Sequence, residues 1–140
     1  MKKKITTVAV LSAITLISLS FKSHKVYHQQ NGDNKIYRVY ENKSYQILDT
    51  TAFYLYYRYG NMDKPKGEAL IKKAEYFFSR DAGSPIELLT IDNLKRTFPD
   101  NHPFHYAIDA HFRNDQELIG YDNYLKCYKL KYLYNRSLKQ

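Results

Sequence analysis

The sequence has few of the residues on which disulfide and phosphate-binding chemistry depends. Among its 140 residues it contains one cysteine, five glycines, four prolines and no tryptophan. One cysteine cannot form an internal disulfide, so packing alone must hold the folded part together. The scattered glycines give neither GxxxxGK(S/T) nor GxGxxG, which excludes the usual phosphate-binding loops.

Residues suited to catalysis are equally sparse. Cys127 lies between Lys126 and Tyr128 with no histidine within helical reach, and we interpret it as structural. Ser84 lies in Gly-Ser-Pro, which is not a nucleophile elbow. No spacing singles out a pair of carboxylates. The sequence therefore favours a protein that is not an enzyme, and it assigns no catalytic residue and no cofactor.

One group of residues has the chemistry of a metal site. His102, His105 and Asp109 are spaced so that a helix would bring them to one side, and histidine and carboxylate are zinc ligands. However, His102 precedes Pro103, which places it before the first helical turn. We therefore interpret His102 as part of a solvated cap and His105 as a half-buried polar residue, and we assign no metal. A metal-dependent or hydrolytic enzyme using His102, His105 and Asp109 is the first alternative function.

The N-terminus has the pattern of an export signal. Three lysines follow the initiator methionine, a mostly apolar run comes next, and Ser18 and Ser20 supply the small residues of a cleavage site. The uncharged stretch from Ile5 to Phe21 is 17 residues long, whereas a comfortable bilayer span needs about 20. We therefore predict a signal peptide over residues 1–20, cleaved near Ser20, and a periplasmic or extracellular protein. An uncleaved membrane anchor is the alternative.

Export also changes the meaning of the basic charge. The whole chain has 22 basic and 14 acidic residues and a net charge of +8. Loss of residues 1–20 removes three lysines and leaves +5. Residues 81–120 carry −4 and residues 121–140 carry +4, so these two regions can compensate each other within the fold. The basic pI is thus weak support for a nucleic-acid partner, and export argues against one.

The mature part divides into a polar tether over residues 21–34 and a single domain over residues 35–140. The domain is long enough to bury a core without a disulfide. Alternating aromatic and β-branched residues predict strands over residues 35–41 and 45–49, with a turn over residues 42–44.

Two further segments of the first half are ambiguous. Residues 51–59 read TAFYLYYRY and favour a strand, with a short helix ending at Gly60 as the alternative. Residues 68–80 begin with good helix formers and end as a strand. A turn over residues 81–84 and a returning strand over residues 85–89 would complete a hairpin.

A strand over residues 51–59 would carry aromatic rings on both faces. Phe53, Leu55, Tyr57 and Tyr59 would share one face, and Tyr54, Tyr56 and Arg58 would share the other. We expect helices to cover one face. The other either presents Tyr54 and Tyr56 as an exposed patch for binding or, as we favour, lies under a second layer of strands.

From Thr90 onward the apolar spacing predicts helices. The first begins near Thr90 and ends at Phe98, because the residue before a proline avoids the helical region. The second begins at Pro103, and a third, short helix runs from Asn114 to Gly120.

The last predicted helix, residues 121–137, mixes tyrosines with cations. The residues expected to face the core repeat at +3 and +4 across the join with the preceding short helix: Leu118, Tyr121, Leu125, Tyr128 and Tyr132. Lysines would then cover its outer side. Tyrosines among lysines can also contact an anionic membrane or another polyanion, so peripheral binding through residues 121–140 is the second alternative function.

Residues 75–135 resemble small exported proteins of unknown function from Bacteroidetes-type bacteria. The stretches SPIELLTIDNLKRTFPDNHPFH and IDAHFRNDQELIGYDNYLKCYKL carry the resemblance. Its matching positions are Leu94, Phe98 and Pro99 of a Leu-x-x-x-Phe-Pro-like pattern, together with Phe104 and Leu118. The resemblance implies a hairpin followed by helices, and it brings no activity and no site residue.

These patterns together predict an α+β fold, with antiparallel strands over about residues 35–89 followed by three or four short helices on one face. The function they favour is non-enzymatic binding of an unknown protein or other envelope partner. The tyrosine count of 15 is the feature that points most directly to a binding surface.

Overall fold

The computed structural model describes residues 35–60 and 73–139. The predicted signal and tether, residues 1–34, lie outside the described residues, as do residues 61–72 of the predicted loop and the ambiguous segment. Antiparallel strands come first and helices follow, which confirms the α+β class. Within the described part of the chain, no helix is long and apolar enough to cross a membrane.

The five-stranded sheet is a meander in which every neighbouring pair is antiparallel. Its strands are β1 (Tyr37–Tyr40), β2 (Lys43–Asp49), β3 (Tyr54–Gly60), β4 (Lys73–Ser79) and β5 (Glu87–Leu88). Glu41 and Asn42 have φ angles of 48° and 59°, as a two-residue type I′ hairpin turn requires. The first turn therefore lies earlier than predicted, and residues 43 and 44 belong to β2.

Both ambiguous segments contain strands. The helix alternative for residues 51–59 is wrong, because β3 occupies Tyr54–Gly60. Lys73 and Ala74, the end of the run of helix formers, belong to β4. β4 pairs with β3 along its whole length, and such pairing commonly overrides local helix propensity. The predicted hairpin into β5 is confirmed, although β5 has only two residues.

The second half contains helices and one small hairpin. Its elements are α1 (Ile91–Thr97), α2 (His102–His111), a 3-10 helix (Asp115–Ile119), β6 (Tyr121–Asp122), β7 (Cys127–Tyr128) and α3 (Lys129–Ser137). The side chain of Thr90 caps α1 by accepting a hydrogen bond from the backbone N–H of Asn93, and Asn101 caps α2 in the same way. The predicted helices before residue 120 are thus confirmed, although α2 begins at His102 and not at Pro103. The prediction that His102 precedes the first helical turn is therefore wrong, because Asn101 and not His102 is the capping residue.

Residues 121–128 form a hairpin and not the first half of the predicted last helix. The carboxylate of Asp122 accepts hydrogen bonds from the backbone N–H groups of Tyr124 and Leu125 at 2.8 and 2.9 Å. Lys126 has a φ of 53°, which a helix cannot contain. This local turn chemistry overrides the helical spacing of the apolar residues.

The helices cover the side of the sheet on which Leu55 and Phe78 pair. The main core consists of Phe53, Leu55, Phe78, Leu89, Leu94, Phe98, Phe104, Ile108, Phe112, Leu118, Leu130 and Leu133. The core face predicted for the last helix is wrong in part: Leu118 is buried and Tyr128 half-buried, but Tyr121, Leu125 and Tyr132 are exposed. The hairpin shifts the buried face of α3 to Leu130 and Leu133.

The opposite face of the sheet packs a second, smaller cluster of Tyr45, Tyr56 and Phe77. The rings of Tyr45 and Phe77 are 5.0 Å apart between centroids, although their strands are two positions apart and flat strands at that separation lie about 9.5 Å apart. The sheet therefore curls toward this face. Tyr56 is fully buried, so the exposed patch of Tyr54 and Tyr56 is wrong.

The second layer of strands that we favoured for this face is also wrong for the described residues. They form one five-stranded sheet and the small hairpin β6–β7. Ile86, which lies between β4 and β5, packs against the second cluster, as does the half-buried Tyr54. The curl of the sheet and the turn region after β4 thus replace the expected strand layer.

Arg38 of β1 is fully buried behind this cluster. Its guanidinium donates hydrogen bonds to the hydroxyls of Tyr56 and Ser79 at 2.8 and 3.0 Å. It also donates to the carbonyl oxygens of Asp81 and Ser84 at 3.3 and 2.6 Å. One side chain thereby connects β1, β3, β4 and the turn that follows β4.

A second buried cation, Lys131, connects the last helix to the sheet through hydrogen bonds. Lys131 of α3 is 1% exposed, and its ammonium donates to the carbonyl oxygens of Thr51 and Phe53. The Asp49 carboxylate lies 3.3 Å from its Nζ. Asp49 ends β2 next to a register shift between Ile47 and Asp49, so Lys131 joins α3 to the irregular connection between β2 and β3.

Candidate functional site

Among the described residues, no helix covers one end of the helix-facing side of the sheet, and this end forms an open cleft of about 840 Å³. This volume lies within the ~300–1,000 Å³ typical of small-molecule sites. Six tyrosines line the cleft, together with Lys35, Ser44, Gln46, Leu48, Arg58 and Ile119. We call it the tyrosine cleft, after Tyr37, Tyr57, Tyr59, Tyr76, Tyr121 and Tyr128.

Strand register places the floor of the tyrosine cleft. Tyr37 pairs with Gln46, Gln46 with Tyr57, and Tyr57 with Tyr76, so the four residues form a row across β1 to β4. Directly paired residues share one face of a sheet. The rings of Tyr57 and Tyr76 are 5.6 Å apart between centroids, and those of Tyr57 and Tyr59 are 4.9 Å apart. The floor is thus an aromatic surface of Tyr57, Tyr59 and Tyr76, and the amide of Gln46 separates it from the ring of Tyr37.

The small hairpin builds the opposite wall. Tyr121 and Tyr128 are cross-strand partners in β6 and β7, and their rings meet edge to face at 5.2 Å. The backbone N–H of Lys129 donates to the carbonyl of Gly120 at 2.9 Å and closes the base of the hairpin. Ile119, at the end of the 3-10 helix, completes the wall. The segment that was predicted as helix therefore supplies two of the six tyrosines.

The phenols of Tyr57 and Tyr128 have raised pKa values and are protonated at neutral pH. Burial, a hydrogen bond with Tyr59 and the proximity of Tyr59 and Tyr76 raise the pKa of Tyr57 to about 12. Burial, with the negative charge of Asp49 nearby, raises the pKa of Tyr128. A protonated phenol both donates and accepts hydrogen bonds, so these groups can serve a ligand of either hydrogen-bonding character.

The other polar groups of the cleft are neutral or already paired. Within residues 35–60 and 73–139, the side chains of Ser44 and Gln46 form no hydrogen bond, so their donors and acceptors are open to a ligand. Arg58 pairs with Glu75 at 3.0 Å. No carboxylate is among the described residues that line the cleft. Aromatic rings, hydroxyls and an amide are groups that bind a ligand reversibly, through stacking and hydrogen bonds.

The predicted histidine group does not form a metal site in the described residues. The rings of His102 and His105 lie near each other, 5.9 Å apart between centroids. However, Nε2 of His105 is within 2.8 Å of the carbonyl oxygen of Phe98, and Asp109 pairs with Lys95 at 2.6 Å. No group of three histidine, cysteine or carboxylate side chains suited to a metal occurs in the described part of the chain.

The C-terminal region presents tyrosine and cations separately from the cleft. Tyr124, at the tip of the β6–β7 hairpin, is 93% exposed, and Leu125 beside it is 44% exposed. The exposed cations of this region are Lys126, Lys129, Arg136 and Lys139. Asp122 is the one acidic residue among the described residues 121–139. Its carboxylate accepts two backbone hydrogen bonds in the hairpin turn.

Cys127 and Ser84 have structural surroundings. Cys127 is half-buried in β7, and the backbone carbonyl of Ser84 accepts a hydrogen bond from Arg38. Sequence patterns did not identify the tyrosine cleft, because its residues come from six separate strands and one 3-10 helix. The density of tyrosine was the only signal of it.

Comparison with known proteins gave no match: no protein-family model, no curated protein and no solved structure is significantly similar to this chain. The resemblance of residues 75–135 to small exported bacterial proteins stays a prediction. The geometry of the described residues is therefore the basis on which function is argued.

Proposed function

We propose that this chain is an exported, non-enzymatic binding protein and that the tyrosine cleft holds its ligand. The observation that carries the proposal is the convergence of six tyrosines from the sheet and the hairpin on one cleft of about 840 Å³. Tyrosine supplies a large rigid contact area and a hydrogen-bonding group at low entropic cost. Export is part of the proposal through the N-terminal pattern of residues 1–20, which stays a prediction.

The lining of the cleft favours binding over catalysis. A general acid–base pair needs groups whose pKa values lie near the working pH. Among the described lining residues, Tyr57 has its pKa raised away from neutrality to about 12, and Arg58 is held by Glu75. The groups that remain open, Ser44 and Gln46, have no neighbouring base among the described residues that line the cleft.

The first test is a ligand-observed and protein-observed NMR screen of a mixed fragment library that contains aromatic, polyol and peptide fragments. Bound fragments are expected to shift the backbone amides of Tyr57, Tyr76 and Tyr128. Tyr57→Ala and Tyr121→Ala are each expected to weaken these fragments at least about fivefold, since each removes a stacking surface worth ~1 kcal/mol or more.

Tyr106→Ala is the matched control for this screen. Tyr106 is 76% exposed on α2 and does not line the cleft, so its removal should leave fragment affinity unchanged. Fragments that bind only outside the cleft, or that bind equally well to Tyr57→Ala and Tyr121→Ala, would contradict a ligand site there.

A second candidate function is peripheral contact with an anionic membrane. It is supported by the 93% exposure of Tyr124 at the hairpin tip, beside the exposed Lys126 and Lys129. Amphipathic aromatic rings favour the membrane interface, and each nearby cation adds about 1 kcal/mol on an anionic surface.

Vesicle co-sedimentation tests the second candidate. The chain is expected to bind phosphatidylserine-containing vesicles at low salt and to dissociate at ~1 M salt, where the Debye length falls to about 3 Å. Combined Lys126→Gln and Lys129→Gln changes should weaken binding by about 30-fold, and Lys43→Gln, an exposed lysine on β2, should not. Equal sedimentation with uncharged phosphatidylcholine vesicles would rule out an electrostatic contact.

A further inference from the structure

We propose that the ligand of the tyrosine cleft is an oligosaccharide that carries no positive charge. This inference rests on the proposed binding function and adds the chemical class of the ligand. Three properties of the cleft carry it: the aromatic floor and wall, the hydrogen-bonding character of its polar groups, and its charge.

The aromatic surfaces suit the apolar faces of sugar rings. The floor offers Tyr57 and Tyr76 side by side at 5.6 Å, and the wall offers Tyr121 and Tyr128 at 5.2 Å. The C–H groups of a pyranose face carry partial positive charge, and the face of an aromatic ring carries partial negative charge. A sugar that lies between floor and wall would therefore contact rings on two sides.

The polar groups match the hydroxyls of a sugar. Ser44 and the tyrosine phenols each donate and accept at one oxygen, and the amide of Gln46 donates and accepts through neighbouring atoms. A sugar hydroxyl has the same double character. Gln46 lies between Tyr37 and Tyr57 in the cross-strand row, so an amide stands between two rings, where the hydroxyl rim of a stacked sugar would lie.

The described lining of the cleft offers no carboxylate to a cationic ligand. The guanidinium of Arg58 lies over the rings of Tyr45 and Phe77 on the other face of the sheet and pairs with Glu75. An ammonium ligand would gain cation–π contacts with the tyrosines but would find no counter-ion among the described lining residues. Neutral and acidic sugars avoid this cost.

The openness of the cleft suits a chain and not a single sugar. Tyr59 and Tyr121, on the sheet side and the hairpin side, are 58% and 49% exposed. Rings at the rim extend the aromatic surface beyond the floor, which lets a ligand longer than one sugar ring continue out of the cleft.

An array of neutral, acidic and amino oligosaccharides tests the inference, with hits measured by calorimetry and by NMR on the full chain. Binding is expected for neutral or acidic oligosaccharides and not for cationic chitosan oligomers. Gln46→Leu, which keeps volume but removes the amide, should weaken the best sugar about tenfold, because the sugar hydroxyls it served are left unpaired. Tyr76→Phe, which keeps the ring, should weaken it less than Tyr57→Ala, and Tyr106→Ala should leave it unchanged.

A proline decapeptide and the fragment library serve as the opposing probes. If the peptide or fragments shift Tyr57 and Tyr76 while no oligosaccharide does, the saccharide inference is overturned and the binding function stands. If no probe of any class shifts these residues, both are overturned. Oligosaccharide binding that survives in Gln46→Leu and Tyr57→Ala would place the sugar elsewhere and also overturn the inference.

Discussion

Replacement of Arg38 by alanine is expected to lower the free energy of unfolding by about 4 kcal/mol, the largest effect of any single change considered for this protein. Arg38 is completely buried. Its truncation leaves a cavity and removes donors from two hydroxyls and two carbonyl oxygens. The Ser84 carbonyl loses its donor, whereas the Asp81 carbonyl still accepts from the Ser79 hydroxyl at 2.7 Å. A buried carbonyl without a partner costs about 1–3 kcal/mol, and the cavity accounts for much of the rest.

The unusual feature of Arg38 is that no carboxylate among the described residues pairs with it. Its charge is compensated by oxygen dipoles and by the rings of Tyr40 and Tyr56, whose centroids lie 5.7 and 5.8 Å from the guanidinium carbon. Its Nε has no hydrogen-bond partner in the described structure. Cavity and hydrogen bonds can be separated with Arg38→Met, which restores volume without donors and should lose about 2–3 kcal/mol.

Chemical denaturation followed by circular dichroism measures both variants against the unmodified chain. Arg113→Ala is the matched control, since Arg113 is an exposed arginine, and its expected change is within about 0.5 kcal/mol. A loss below about 1 kcal/mol for Arg38→Ala would show that the carbonyls of the turn after β4 find other donors.

The second large effect is a pH dependence that Lys131 imposes on folding. Burial lowers the pKa of Lys131 from 10.5 to about 8, against the opposing attraction of Asp49. Between these two values the unfolded chain holds a proton that the folded chain has lost. Stability therefore rises with pH across this window, and the contribution of Lys131 should grow by about 2 kcal/mol between pH 7 and pH 9.5.

Lys131→Met isolates this contribution. Tyrosines with raised pKa values, among them Tyr45 and Tyr56, act in the opposite direction as the pH approaches 10, but both chains share them. The difference in unfolding free energy between the unmodified chain and Lys131→Met should thus shift by about 2 kcal/mol toward the unmodified chain from pH 7 to pH 9.5. Lys139→Met, at an exposed lysine, should give no shift, and a constant difference for Lys131→Met would contradict the assigned titration.

The sequence predicted those parts of the fold that depend on near neighbours. The alternation along β3 correctly placed Leu55 and Tyr56 on opposite faces of the sheet. Thr90 and Asn101 are the N-terminal capping residues of α1 and α2. The hairpin at residues 121–128 was not predicted. The hydrogen bonds of one carboxylate, that of Asp122, stabilise its turn, although the apolar residues of the segment have helical spacing.

Long-range features could not be predicted in the same way. Arg38 and Lys131 are charged, and charged residues are almost always exposed unless paired, so nothing local signals their burial. The tyrosine cleft depends on the register that aligns Tyr37 with Tyr57 and Tyr76. Its wall depends on the β6–β7 hairpin, for which the spacing of apolar residues had predicted a helix.

The tyrosines on both faces of β3 have a consequence for how the chain selects its pairing. A shift by one residue moves every side chain of a strand to the other face. In YLYYRY a shift in either direction would bring a tyrosine to only one of the four positions that hold one now. It would also move the fully buried Leu55 out of the main core and Arg58 away from Glu75. The order of tyrosine, leucine and arginine along β3 therefore specifies one alignment over its neighbours, even though the strand carries tyrosine on both faces.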